Sequence, residues 1–245
     1  MPSIEVLIIA PVVILVAYII FGMTGFGSTL IAVPLLAHLL PLHFVIPMVV
    51  ILDCAGALSL GVKLRADAWK AEFMPMLPFL LAGLFIGVYV LLKVPPQWLL
   101  AILGVFVLIF GGNFMMARKT LVWLPKWSVA PIGLFAGTTS SAFGVGGPIY
   151  VFYFTGRGAT PEQIRATIPV VFCFTTVARI VIFAGAGLFN PQILIGAGLL
   201  LPVMAFGLWC GHRLHLNLSR EHVVRVMGAL LLLSGASLLV RAAAM

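Results

Sequence analysis

The chain has 245 residues, 63% of them hydrophobic and 8% charged, with a net charge of +8 and a mean hydropathy of +1.24. Ordinary soluble domains carry about 25% charged residues, so this composition excludes one and points to an integral membrane protein. The basic residues lie in short loops between apolar runs, where they set topology and meet lipid headgroups, not nucleic acid.

The first apolar run follows Glu5, where a cleavable signal would carry a basic stretch, and no cleavage-like site comes after it. A retained helix is therefore expected. Apart from Asp53, residues 6–62 bear no formal charge, yet GFGSTLIAVPL at 25–35 interrupts the run with glycines. Three spans are predicted next, at about 44–62, 72–92 and 97–117, each near the roughly 20 residues that a crossing requires. After a basic linker from Arg118 to Lys126, residues 127–156 again contain no charge, while Gly144, Gly146, Gly147 and Pro148 crowd into mid-run. Spans at about 164–185, 190–211 and 221–241 complete the chain. Pro47, Pro78, Pro169 and Pro202 fall near the starts of these helices, where proline is tolerated best.

The order repeats. GFGSTLIAVPL at 25–35 aligns with GVGGPIYVFYF at 144–154, Ile46-Pro47 with Ile168-Pro169, and LPFLLAGLFIG at 77–87 with LPVMAFGLWCG at 201–211. The last offset, 124, also carries Gly104 onto Gly228 and Gly111 onto Gly235. The chain thus reads as a first repeat at 1–117, a cytoplasmic linker at 118–126 and a second repeat at 127–245. Basic residues mark four loops: Lys63, Arg65 and Lys70; Arg118, Lys119 and Lys126; Arg157 and Arg165; Arg213 and Arg220. Placing all four in the cytoplasm makes each Gly-broken element enter and leave on one side, as a re-entrant pair or a full hairpin. Lys93 is the one exception. The expected fold is an all-α polytopic membrane protein with two inverted-topology repeats, each a Gly-broken helix pair plus three transmembrane helices.

A lipid-exposed break strands backbone groups without partners, so both breaks must face protein or a water-filled cavity. Inverted repeats with matching broken helices point to a secondary transporter whose site lies near the midplane. Half-helices starting near Ser28 and Gly147 would aim positive ends at an anion.

These motifs resemble a known family. GMTGFGSTLIAVPLL at 22–36 paired with FGVGGPIYVFYFTGRG at 143–158, the Ile-Pro helix after each and the chain length are similar to the sulfite exporter family TauE/SafE. The resemblance covers essentially the whole chain. It implies transport of small sulfur oxyanions or organosulfonates, usually export across the bacterial cell inner membrane. Ser28-Thr29 replaces the Gly-Gly frequent in the family's first motif; the two hydroxyls either add hydrogen bonds to an oxyanion or cap the following helix.

Buried charge supplies the other candidates. Asp53 and Arg179 each lie about seven residues inside the outer end of a span, at matched depth, and charges there call for a partner or a function. A salt bridge is expected. It is either a structural tie between halves or a resting counter-ion arrangement in which Arg179 forks onto a sulfonate. The candidate substrate-binding set is Thr24, Gly25, Gly27, Ser28, Thr29, Ser140, Ser141, Gly144, Gly146, Gly147 and Arg179, with Asp53 as counter-ion or coupling group. Thr138, Thr139, Thr175 and Thr176 are weaker candidates, and Asn113 is read as a bridge between helices. Gly83, Gly87, Gly207 and Gly211 are read as helix-packing positions, and Trp69, Trp98, Trp123 and Trp127 as interfacial anchors.

No cofactor and no metal are expected: Cys54, Cys173 and Cys210 lack metal-ligand spacing, and His212 and His215 alone do not make a site. Motifs for a membrane enzyme (HExxH, a nucleophile elbow, paired carboxylates) are missing from the sequence. The rival readings are an anion channel and an uptake permease for another small organic anion. The expected partners are a small anionic substrate and membrane lipids, and the sequence leaves room for a homo-oligomer.

Overall fold

A computed structural model describes residues 4–25, 27–64, 68–116, 123–214 and 220–244. Among them the regular structure is helical: α1 (Ile4–Thr24), α2 (Ser28–Leu36), α3 (Leu42–Leu64), α4 (Lys70–Phe73), α5 (Leu77–Lys93), α6 (Pro96–Met116), α7 (Val129–Phe143), α8 (Gly147–Gly156), α9 (Pro161–Gly185), α10 (Pro191–Leu214) and α11 (Arg220–Ala243). A single 3-10 turn joins α4 to α5, so Lys70–Lys93 acts as one span. Among the described residues, 6 helices are long and apolar enough to cross a membrane. Predicted spans and observed helices agree to within a few residues. Several true starts are prolines (Pro96, Pro161, Pro191), whose missing N–H is no loss at the first helical position. Arg65, Arg118, Lys119 and His215 lie outside the described residues, as do the side chains of Glu5, Lys63 and Arg220.

Both breaks depend on glycine. α1 stops at Gly25 (φ 80°), and Gly27 (φ 98°) precedes α2. α7 stops at Gly144 (φ 77°). There the N–H of Gly144 donates to Ser140 O and that of Val145 to Thr139 O, an αL ending that satisfies the last carbonyls. The left-handed conformation needed at each stop is strained for any residue with a Cβ.

The second broken element begins and ends at one place. α7, 15 residues, and α8, 10 residues, are about 22 and 15 Å long, each short of a hydrocarbon core of about 30 Å. The N–H of Leu124, before α7, donates to Gly156 O at the end of α8 (2.7 Å), and Arg157 Nη1 donates to Leu124 O (2.7 Å). Entry and exit therefore meet at one face. Arg157 also forks onto Glu72, Nε to Oε2 (3.0 Å) and Nη2 to Oε1 (2.8 Å), and Tyr153 donates to the same carboxylate (3.0 Å). The end of α8 is thus fastened to the start of the Lys70–Lys93 span.

Glycine stripes set the helix pairs. α5 packs on α7, α1 on α10, α3 on α9 and α6 on α11. A Cβ on Gly83 would stand 2.9 Å from Gly137 Cα, one on Gly87 2.7 Å from Ser141 Cβ, and one on Gly207 2.8 Å from Leu15 O. Such close backbone approach is what small residues allow inside a membrane, where lipid gives no hydrophobic drive to helix pairing. Gly104 meets Gly235 O and Gly111 meets Gly228 O, so α6 and α11 run antiparallel. Arg241, late in α11, donates to Ala37 O after α2. It adds a second basic residue to the end that the loop count gives, with Lys93, to the outside. Asn113 corrects an expectation: it is exposed, off the face of α6 that carries Gly104 and Gly111, and bridges no helix. Trp98, Trp123 and Trp127 are exposed at helix ends, as interfacial anchors are.

Candidate functional site

Asp53, 4% exposed in mid-α3, is held by hydroxyls. Tyr18 of α1 donates to Oδ1 at 2.7 Å and Ser28, the first residue of α2, donates to the same oxygen at 2.8 Å. One carboxylate therefore ties both sides of the first break to α3. The Ser28 hydroxyl is turned to Asp53, and the start of α2 has no side-chain cap.

Arg179, 2% exposed on α9, is the opposite case. Its Nε and Nη2 are buried with no hydrogen-bond partner, and its guanidinium lies 5.6 Å from the centre of the Phe183 ring. The expected Asp53–Arg179 salt bridge does not form. Among the described residues the ion pair within 4.0 Å is Arg157–Glu72. Asp53 instead accepts two hydroxyl donors, both on Oδ1. Arg179 sits on α9, which packs on α3 and on α8, without touching the Asp53 carboxylate. A buried guanidinium edge with two parallel unused donors is costly when empty and matches two oxygens of one oxyanion.

The second break packs on the helix that carries this group. Tyr150, fully buried in α8, pairs through its hydroxyl with Ser140 Oγ of α7 at 3.0 Å. A Cβ on Gly146 would stand 2.8 Å from the Tyr150 hydroxyl and closer still to Ser140 Oγ. Gly147 starts α8, again with no side-chain cap before it. The two breaks touch: a Cβ on Gly144 would lie 2.9 Å from Thr29 Cγ2. The structure thus gathers Ser28, Thr29, Asp53, Ser140, Gly144, Gly146, Gly147 and Arg179 around one interior region.

Other candidates stand apart. Ser141 packs by its Cβ towards Gly87 of α5, and its buried Oγ has no partner. Adjacent helix residues point about 100° apart, so Ser140 and Ser141 serve different faces. Thr24 donates to Ile20 O, Thr138 to Leu134 O, and Thr139 to Phe135 O and Ala136 O. Thr175 and Thr176 likewise bond carbonyls of their own helix. Gly25 has open space where a Cβ would go and supplies conformation, not contact.

Tyr18 and Tyr150 were not foreseen. Each is an aromatic residue inside an apolar run, and nothing in the linear pattern separates a core tyrosine from one whose hydroxyl holds a charge. Tyr150 does sit within the second Gly motif. Edge-on ring contacts join the two tyrosines through Phe21 and Phe172: Tyr18–Phe21 at 5.9 Å, Phe21–Phe172 at 6.5 Å and Tyr150–Phe172 at 5.7 Å.

Comparison with known proteins bears on this geometry. The probable inner membrane transporter protein TsaS of Comamonas testosteroni is 27% identical over 194 residues, 78% of this chain and 81% of that protein. The probable sulfite/organosulfonate exporter TauE of Cupriavidus necator is 28% identical over 228 residues, 89% of this chain and 88% of that one. No solved structure matches the chain significantly. The family model described as sulfite exporter TauE/SafE matches residues 10–238, so the chain belongs to that family of membrane transporters.

Proposed function

We propose that the chain is a secondary transporter, not an enzyme, that exports small sulfur-containing anions, sulfite or organosulfonates, across the bacterial inner membrane. The observation that carries this reading is the empty donor edge of Arg179, buried beside two glycine breaks in a chain of this family. The anion rests on Nε and Nη2, with Ser140, Tyr150 and the uncapped starts of α2 and α8 completing the shell. Asp53 is the counter-ion that balances Arg179 between cycles.

Alternating access follows from two inverted repeats around this site. The antiparallel α6–α11 pair supports the inversion: the offset of 124 exchanges its two glycine contacts, Gly104–Gly235 and Gly111–Gly228. The pairs α5–α7 and α1–α10 are exchanged in the same way. No covalent step is needed. An anion leaving a negative-inside cell gains about 2.3 kcal/mol per charge per 100 mV, enough to drive export.

The test is binding to the purified protein, read as thermal stabilisation by sulfite, methanesulfonate and acetate. Sulfur anions should stabilise the wild type and acetate should not. Arg179→Lys keeps the charge but loses the fork, and should weaken binding by about tenfold or more. Full affinity in Arg179→Lys would remove Arg179 from the site.

A further inference from the structure

We infer that Asp53 is a charge filter, so that the site takes sulfur oxyanions of single charge, methanesulfonate or hydrogensulfite, and turns away dianions. The inference rests on Arg179 as the anion-binding group, the reading proposed above.

The filter is a fixed charge near a free one. Asp53 and Arg179 are both buried, on the packed helices α3 and α9, and do not touch. The Asp53 Oδ1 is held by hydrogen bonds from Tyr18 (2.7 Å) and Ser28 (2.8 Å), which come from two different helices. With Arg179 and Asp53 both ionised, the empty site is neutral. Attraction of an anion to Arg179 and repulsion from Asp53 both grow in proportion to its charge. The cost of taking it out of water grows as the square. One guanidinium, part-cancelled by a carboxylate, can therefore offset the desolvation of a monoanion but falls behind for a dianion.

The walls agree with this. The row Tyr18, Phe21, Phe172 and Tyr150 brings rings and hydroxyls but no further cation, and Phe183 lies against the guanidinium. Three sulfonate oxygens can meet donors while the fourth substituent is apolar. Sulfate would turn a charged oxygen towards those rings instead.

The experiment compares methanesulfonate with sulfate, which share tetrahedral shape and differ by one charge at neutral pH. Calorimetric binding to the purified wild type should favour methanesulfonate by about tenfold or more. Asp53→Asn removes the repulsion and strengthens both, sulfate more, so the preference should narrow by at least about threefold. Arg179→Gln should lose both ligands. If Asp53→Asn leaves the preference unchanged while Arg179→Gln loses both, the filter is wrong and the binding site stands. If Arg179→Gln keeps both, the site reading fails with it. Should Asp53→Asn not fold, the wild-type preference decides alone: equal affinity for the two anions overturns the filter.

Discussion

Gly146 shows how closely single residues fix this site. The position tolerates no side chain, because a Cβ would collide with Ser140 Oγ and the Tyr150 hydroxyl, which lie 3.0 Å from each other. Gly146→Ala should therefore separate Ser140 from Tyr150 and weaken sulfonate binding by about tenfold, with a stability cost of about 1–3 kcal/mol. Gly198→Ala is the matched control, since nothing lies within 4 Å of its Cβ position. A calorimetric titration and a thermal melt of both variants check this; normal binding by Gly146→Ala would detach the second break from the site. At this scale the sequence was legible only in part. Asp53 and Arg179 announce themselves, because charge in mid-span demands a reason. Their expected bridge came from equal depth along two helices. Depth fixes height in the membrane, whereas contact depends on helix rotation. Tyr18 and Ser28 are the donors that Asp53 accepts instead, and no spacing rule reveals them.

The elements were more legible, because their causes are local. Charge-free runs fix the spans, glycines with positive φ fix the breaks, and prolines fix several starts. What needed three dimensions was the course of the second broken element, whose two ends the Leu124–Gly156 and Arg157–Leu124 hydrogen bonds bring together. The glycine stripes carry a prediction about element packing. Gly83 lies so close to α7 that a Cβ would stand 2.9 Å from both Gly137 Cα and Thr138 N. Backbone cannot yield as a flexible side chain can. Gly83→Ala should therefore lower stability by about 1–3 kcal/mol through overpacking. Gly112→Ala, with open space around its Cβ position, should be neutral or gain up to about 1 kcal/mol from better helix propensity. Reversible unfolding in mixed micelles measures both. Equal stability of the two variants would show that the α5–α7 approach is looser than its geometry.

For the whole molecule the question is which face of the membrane each end meets. Lys93 closes α5, while Lys126 stands just before α7. Leu124, two residues earlier, is tied to Gly156 and Arg157 where the second broken element begins and ends. Glu72, bonded to the same Arg157, lies at the opposite end of the span from Lys93. The two lysines are therefore on opposite faces of the helical bundle. From the basic loops the Lys126 face is expected in the cytoplasm, because Lys and Arg are retained there during insertion. Lys93 and Arg241 mark the other face with fewer charges, so the bias survives but is not absolute. Single cysteines at these positions, in a background with Cys54, Cys173 and Cys210 replaced, test the assignment. A membrane-impermeant maleimide should label Lys93→Cys in intact spheroplasts and Lys126→Cys only after the membrane is opened. The reverse pattern would keep the fold and turn the molecule over, moving the Arg157–Glu72 fastening to the outside. Labelling of both from one face would contradict the placement of Lys93 and Lys126 at opposite ends of the bundle, and with it the crossing of the Lys70–Lys93 span.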